Sequence, residues 1–220
     1  MNKKARYIVF EGCEGVGKST QTKKLVDFLI NKGYRVLQTK EPGTPLSPLT
    51  MQLRSIMLDK QYDDQLTVPA RELISQAIRS IHLEKIVKPA LTEYDFVIQD
   101  RGILSGLSYG TGCGNNFDWL LDLTSKIVPI DMYMNNGRLL YDDVVILTGN
   151  ISKGLERALS SKQEFTAGDA MEACGTSFLN SVSANMIDMA RYFNARLVAV
   201  DEKSVDQVFA DILNALRIEE

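Results

Sequence analysis

One eight-residue stretch restricts the fold of this chain more than any other part. Residues 12–19 read GCEGVGKS, which fits the phosphate-binding pattern GxxxxGK[ST] in full. The preceding residues 7–10 are apolar enough for a buried strand, and residues 20–32 place Leu25 and Leu29 at helical spacing. A strand, a glycine-rich loop and a helix in this order predict a loop that binds the phosphates of a nucleoside triphosphate.

Each residue type in the loop has a physical reason to be there. Glycines let successive backbone N–H groups turn toward an anion, and the helix that follows points its positive end at the same place. Lys18 would place a positive charge at the β- and γ-phosphates, and Ser19 would offer a hydroxyl group to Mg²⁺. We predict that the nucleotide is bound by Gly12, Cys13, Glu14, Gly15, Val16, Gly17, Lys18, Ser19 and Thr20.

The bulk properties exclude several classes of protein. At 220 residues the chain suits one domain, which we place at residues 1–220. A formal charge of -3 argues against a surface that coats nucleic acid. No apolar stretch is long enough to span a membrane, and three widely spaced cysteines indicate neither a disulfide framework nor a zinc site. We therefore expect a cytoplasmic protein that binds neither nucleic acid nor membranes.

Apolar runs alternate with helical segments along the rest of the chain, which predicts an α/β fold with parallel strands. The predicted strands cover residues 7–10, 34–37, 94–99, 142–148 and 195–200. A short helix should end near Leu58, and a longer one should run from Pro69 to about Lys88, capped by Thr67. Glycines and Asn-Asn pairs interrupt any periodicity between residues 111 and 141.

Two groups of charged residues are candidates for chemistry. Asp100 ends the third predicted strand, where a carboxylate can reach Mg²⁺, and Arg101 follows it; an Asp-Arg surface turn is the alternative. The long helix carries a polar stripe whose members lie within about 80° of one another. The stripe consists of Arg71, Ser75, Arg79 and His82.

This stripe can be interpreted in two ways. It is either a binding surface for a phosphate-bearing second substrate or an ordinary solvated face. The adjacent face should be the buried one, because it is apolar. That face consists of Leu73, Ile74, Ala77, Ile78 and Ile81. We expect a structural role for His82, because no nucleophile pattern accompanies it.

Four ordered segments resemble the thymidylate kinases, a family of P-loop nucleoside monophosphate kinases. Residues 10–21 (FEGCEGVGKSTQ) are similar to the opening FEGxxGxGKSTQ of that family, and residues 39–46 (TKEPGTPL) to its TREPGGTPL segment, one glycine short. Residues 77–91 resemble its AxRxxH and IxPAL run, and residues 100–109 resemble its DRYxxSxxAY element.

The resemblance implies a P-loop NTPase fold with a five-stranded parallel sheet of order 2-3-1-4-5, and transfer of the γ-phosphoryl group of ATP to a deoxynucleoside monophosphate with Mg²⁺. It implies catalytic roles for Lys18, Asp100 and Arg101, and metal ligation by Ser19 and Asp100. Family members are commonly homodimers with a lid over ATP, which here would lie at about residues 160–173. The positions that would bind the acceptor nucleotide are Glu14, Lys40, Ser75, Arg79, Arg101 and Tyr109.

Three departures from the family pattern bear on the substrate and the rate. Ser75 stands where the family has a phenylalanine that stacks on the acceptor base, which leaves a larger pocket or a replacement ring from Tyr109, Phe117 or Trp119. Gly15 stands where some members have an arginine, and the lid segment offers only Lys162, with Arg157 on the preceding helix. Lys40 replaces an arginine, which keeps the charge and loses the fork geometry.

These observations favour a monophosphate kinase for dTMP or a related deoxynucleotide. Two alternatives stay open at this point. One is a kinase for an unphosphorylated deoxynucleoside, which would share the phosphate loop. The other is an ATP-binding regulatory module without transferase activity, which the altered arginine and Ser75 positions would suit.

Overall fold

A computed structural model of the chain describes residues 5–128, 141–161 and 174–219. Its centre is a parallel sheet of five strands in the order β2-β3-β1-β4-β5, the order that the family resemblance implies. The strands are β1 (Arg6–Glu11), β2 (Val36–Lys40), β3 (Phe96–Asp100), β4 (Asp143–Thr148) and β5 (Arg196–Ala199).

The strand register brings the two candidate motifs to one edge of the sheet. β1 lies between β3 and β4, and Phe10 is level with Asp100 on β3 and with Val145 on β4. The phosphate loop and the Asp100-Arg101 turn therefore leave neighbouring strands at the same carboxyl edge. Ligands bind at this edge in open α/β sheets.

Helices cover both faces of the sheet. Alternate residues of β1 point to opposite faces, so Ile8 packs in the layer formed with α1 and α9, and Tyr7 packs in the layer formed with α5 and α8. The helices of the described residues are α1 (Lys18–Asn31), α2 (Pro48–Leu58), α3 (Val68–His82), α4 (Lys88–Glu93), α5 (Ile103–Gly112), α6 (Phe117–Ile127), α7 (Ile151–Ser161), α8 (Gly175–Met189) and α9 (Val205–Leu216). In the part of the chain that the structure describes, no helix combines the length and the apolar character that crossing a membrane requires.

The predicted long helix is interrupted. Thr67 caps its start as expected, accepting from the backbone N–H of Ala70 at 3.3 Å. α3 ends at His82, and a wider π-helical turn over Leu83–Val87 leads into α4. Pro89 explains the break, because it has no N–H to donate back along the helix.

Two further elements differ from the sequence-based expectation. β2 begins at Val36, two residues later than predicted, so that Lys40 becomes its last residue. α6 occupies part of the stretch between residues 111 and 141 that the sequence left poorly defined. Its signal was Asn116, whose side chain accepts from the N–H of Trp119 at 3.0 Å and caps the helix. The Asn135-Asn136-Gly137 turn and most of the predicted lid lie outside the described residues.

Candidate active site

The phosphate loop turns through three glycines in left-handed conformations. Gly12, Gly15 and Gly17 have φ angles of 136°, 69° and 91°, which other residue types rarely adopt. A Cβ atom at Gly15 would lie 1.7 Å from the carbonyl oxygen of Gly154 on α7. The loop therefore has no room for an arginine at position 15. This contact gives a structural reason for the departure from the family pattern.

Lys18 lies inside the loop with its charge held close to the backbone. Its Nζ donates to the carbonyl oxygen of Cys13 at 2.5 Å. Burial lowers the pKa of Lys18 to about 8, and the positive charge of Arg101 acts in the same direction. The carboxylates of Asp100 and Glu14 act in the opposite direction, and a bound phosphate would add further negative charge beside this ammonium group.

The low pKa of Lys18 leads to a prediction about pH. Bound ATP should raise this pKa by adding negative charge, so binding takes up a proton once the pH exceeds about 8. We expect the ATP dissociation constant to stay flat from pH 7 to 8 and then to rise, approaching about tenfold per pH unit. Isothermal titration calorimetry across this pH range would measure the dissociation constant. The control variant Lys23→Ala, on the exposed side of α1, should show the same pH profile as the wild type. A flat profile up to pH 9.5 would show that Lys18 does not titrate on binding.

Ser19 and Asp100 meet at the start of α1. The Ser19 hydroxyl donates to Oδ2 of Asp100 at 2.8 Å, and Oδ1 of Asp100 is buried without a hydrogen-bond partner among the described residues. A hydroxyl and a carboxylate with an unsatisfied oxygen are the hard oxygen ligands that Mg²⁺ prefers. The residues present therefore fit a magnesium ion at this point.

Arg101 connects the phosphate loop to α5. Its backbone has φ 63°, and its guanidinium group donates to Gly12 O at 2.9 Å and to Glu14 at 2.5 Å. Tyr109 donates to the other oxygen of Glu14, and Arg101 also lies over the Tyr109 ring, 5.2 Å from its centre. Burial alone would raise the pKa of Glu14, but Arg101 and Lys18 outweigh it and hold the pKa below its usual range. The left-handed backbone at Arg101 is the kind of local strain that accumulates at functional sites.

A buried carboxylate that the sequence did not single out fixes this turn. Glu11, the last residue of β1, is fully buried and accepts from the N–H groups of Gly102 and Ser105 and from the Ser105 hydroxyl. These groups begin α5 immediately after Arg101. Glu11 therefore positions Arg101 through the backbone, although its place at the end of a strand gave only a weak signal.

A second such carboxylate holds Arg79. Oε2 of Glu41 accepts from Nε of Arg79 at 3.1 Å, while Oε1 lies 3.0 Å from Nδ1 of His82. Nε2 of His82 lies 2.8 Å from the Thr39 hydroxyl, so the imidazole links two side chains and has a structural role, as expected. Burial favours the neutral carboxyl, but Arg79 and His82 hold the pKa of Glu41 below its usual value.

The orientation predicted for α3 was wrong. Leu73 and Ala77 are exposed, whereas Arg79 is 3% exposed and His82 is fully buried. The polar stripe is therefore not a solvated face. It turns inward because Glu41 neutralises Arg79 there and because the stripe borders a cavity. Of the predicted apolar face, only Ile78 is buried.

One cleft of about 870 Å³ joins these groups. Its walls include the loop from Glu14 to Thr20, the Asp100-Arg101 turn and Tyr109, and also Lys40, Arg71, Ser75 and Arg79. Gly12 and Cys13 lie behind the wall, and Cys13 is buried with its Sγ 3.5 Å from Leu179 O. Phe117 and Trp119 do not line the cleft, which leaves Tyr109 as its aromatic ring among the described residues. The side chain of Arg157 and all of Lys162 lie outside the described part.

This sheet, its strand order and its glycine loop define the P-loop NTPase fold, here with a second, arginine-lined pocket beside the loop. Residues 10–212 match the thymidylate kinase family. The chain belongs to that family.

Individual relatives agree with this assignment. A thymidylate kinase of Geotalea daltonii is 34% identical over 199 residues, covering 89% of this chain and 88% of the relative. One from Nitratidesulfovibrio vulgaris is 34% identical over 217 residues, covering 96% and 95%. A crystal structure of thymidylate kinase from Ehrlichia chaffeensis superposes with a TM-score of 0.70, covering 96% of this chain and 98% of that one. At 21% identity the last comparison supports the fold alone.

Proposed function

We propose that this protein transfers the γ-phosphoryl group of ATP to dTMP, giving dTDP and ADP. The observation that carries the proposal is the shared cleft, in which the phosphate loop with Lys18 and the pocket with Arg79 and Arg101 open to one another. A donor triphosphate on the loop and an acceptor phosphate beside Arg101 would then meet without a large movement. Phosphoryl transfer needs mainly such positioning and charge neutralisation.

Most of the predicted site residues have a role in this proposal. Lys18 and the loop N–H groups bind the ATP phosphates, and Arg101 and Lys40 neutralise the acceptor phosphate. Glu14 is held by Arg101 and Tyr109 and would contact the acceptor sugar. Ser19 and Asp100 would hold Mg²⁺, which supplies positive charge to the transferring group.

A panel assay tests the proposal directly. Purified protein would be incubated with ATP, Mg²⁺ and each common nucleoside or nucleoside monophosphate, and the products would be separated by chromatography. We expect dTDP from dTMP and no product from thymidine. Phosphorylation of thymidine alone would favour a nucleoside kinase, and tight ATP binding without any product would favour a regulatory module.

We also propose that the protein is a homodimer formed through α2, α3 and α6. These helices pack side by side, and each exposes large apolar residues on its surface. The exposed residues are Leu49, Ile56, Leu73, Trp119 and Leu121. An inward-facing polar stripe on α3 and an outward-facing apolar one are what a helix between a ligand cleft and a partner subunit requires.

The dimer can be tested with two matched leucines. Leu73 on α3 and Leu197 on β5 are 52% and 51% exposed, so an acidic substitution at either costs little burial within the monomer. Leu73→Glu should shift the mass measured by light scattering from two chains to one, because it places a charge in the interface. Leu197→Glu should leave the dimer intact. A wild-type protein that remains a monomer at its highest soluble concentration would contradict the proposal.

The composition and the ligands proposed here suit a cytoplasmic enzyme of nucleotide biosynthesis. Nucleoside monophosphates and ATP are its only proposed small-molecule partners. We propose no role in binding nucleic acid.

A further inference from the structure

Glu72 places a carboxyl group in the wall of the acceptor pocket, which is the part of the cleft that Ser75, Arg79 and Arg101 line. It is 6% exposed and lines the cleft two helical turns before Arg79, so both side chains leave the same face of α3. Gln76 donates to its Oε1 at 2.8 Å, and no described side chain donates to Oε2. Burial raises the pKa of Glu72, against the opposing charge of Arg79. One oxygen of this buried carboxyl is thus left for a ligand.

Arg79 has a matching unsatisfied donor. Its Nη1 is buried and has no hydrogen-bond partner among the described residues, although its Nε is bound to Glu41. A buried N–H group without a partner costs free energy, and native structures rarely leave one unless a ligand or water completes it. The acceptor pocket is where such a ligand would bind.

Two glycines on α5 make room for these two side chains. A Cβ atom at Gly106 would be 2.4 Å from Nη2 of Arg79, and one at Gly110 would be 3.1 Å from Oε2 of Glu72. The glycines are one helical turn apart, so the guanidinium and carboxyl groups occupy successive places along the α3–α5 interface. Ser75, the small residue between them on α3, also lines the cleft and leaves room for a ring.

We propose that Glu72 determines which acceptor base the pocket takes, by accepting a hydrogen bond from a ring N–H that lies next to a base carbonyl oxygen. That carbonyl oxygen would accept from Arg79, the residue that the family resemblance places at the acceptor base. The inference rests on the proposed kinase function and adds a residue that determines its specificity. Thymine and uracil present this carbonyl and N–H side by side, and guanine presents the same pair. With Ser75 in place of a stacking ring, the hydrogen bonds carry more of the recognition.

The same geometry rejects the amino bases. Arginine can only donate, and an ionised carboxyl group can only accept. Cytosine would turn its amino group toward Arg79 and its unprotonated ring nitrogen toward Glu72, and adenine has the same mismatch. Both contacts would then be unfavourable, and the buried groups would remain unpaired. Sites that read a base by hydrogen bonds discriminate strongly for this reason.

A structural role for Glu72 is the alternative that the experiment must separate. Gln76 also donates to the Thr124 hydroxyl at 2.9 Å, so Glu72 could serve only to orient Gln76 as a link between α3 and α6. A link of that kind would affect all acceptor nucleotides equally. A base-reading role would change their ratios.

The test compares kcat/KM for dTMP, dUMP, dGMP, dCMP and dAMP in wild type, Glu72→Gln and the control Glu84→Gln. Glu84 lies in the π-helical turn outside the cleft and pairs with Lys88. The wild type should favour dTMP over dCMP by about a hundredfold or more. Glu72→Gln should raise the dCMP to dTMP ratio at least about tenfold, since an amide can donate to the cytosine ring nitrogen, with the KM for ATP unchanged. Glu84→Gln should match the wild type.

Two results would overturn the inference while leaving the kinase function standing. One is equal use of dCMP and dTMP by the wild type, which needs no variant and so holds even where Glu72→Gln fails to fold. The other is a Glu72→Gln enzyme whose acceptors all change by one common factor. If the wild type phosphorylated none of the five nucleotides, the proposed function itself would fail.

Discussion

Replacing Arg79 by alanine should weaken dTMP binding about a hundredfold while leaving the ATP dissociation constant within about twofold of wild type. The loss follows because the variant removes a guanidinium group that lines the cleft and whose Nη1 has no hydrogen-bond partner among the described residues. ATP should be unaffected because its phosphates bind at the loop around Lys18. Equilibrium titrations with each nucleotide separately would measure both constants.

Folding must be separated from binding in this variant. The alanine variant leaves the carboxylate of Glu41 buried without its partner Arg79. Removing one partner of a buried ion pair lowers the free energy of unfolding by about 3–5 kcal/mol. Arg79→Lys keeps a charge near Glu41 but loses the planar fork, so it should be more stable than the alanine variant and still bind dTMP poorly. The exposed Arg35, paired with Asp95, provides a control at Arg35→Ala. Unchanged dTMP binding in a folded Arg79 variant would contradict the assigned role.

Removing the loop lysine should have the largest effect on turnover. For Lys18→Ala we expect kcat/KM for ATP to fall by about a thousandfold, the scale of losing a group that stabilises charge in the transition state. The dTMP dissociation constant should change little, because the acceptor pocket keeps Arg79 and Arg101. Arg79→Ala should therefore impair dTMP and spare ATP, whereas Lys18→Ala should impair ATP and spare dTMP. Together the two variants distinguish the donor half of the cleft from the acceptor half.

The control for this experiment lies on the same helix. Lys23 is exposed on α1 and pairs only with Asp27, four residues later, among the described contacts. Lys23→Ala should keep full activity. A Lys18→Ala enzyme with nearly normal kcat/KM would show that the loop does not hold the transferring phosphate.

The sequence predicted the parts of the fold that depend on local pattern. The strand, glycine loop and helix around Lys18 follow one another without interruption, and Asp100 ends a clearly apolar strand. The strand order came with the family resemblance, which covers most of the chain. The structure then placed Ser19 against Asp100, a pairing that the two motifs indicate but that needs the sheet register to bring it about.

The features that the sequence did not predict correctly depend on contacts between segments that are distant along the chain. α3 was oriented by the rule that apolar residues face inward, yet the cleft and the ion pair with Glu41 make its polar side the buried one. Glu11 and Glu41 were overlooked because a glutamate beside a motif has no periodicity to mark it. Their role depends on hydrogen bonds to residues 38 to 94 positions away.

In the proposed reaction, one cleft holds a donor triphosphate and an acceptor monophosphate end to end. A single molecule that joins adenosine to thymidine through a chain of five phosphates tests it most directly, by measuring how this compound inhibits the enzyme. We predict competition with both ATP and dTMP, and a dissociation constant well below that of either nucleotide, because linked ligands bind the second site at high effective concentration. Competition with ATP alone, at an affinity no better than that of ATP, would contradict it.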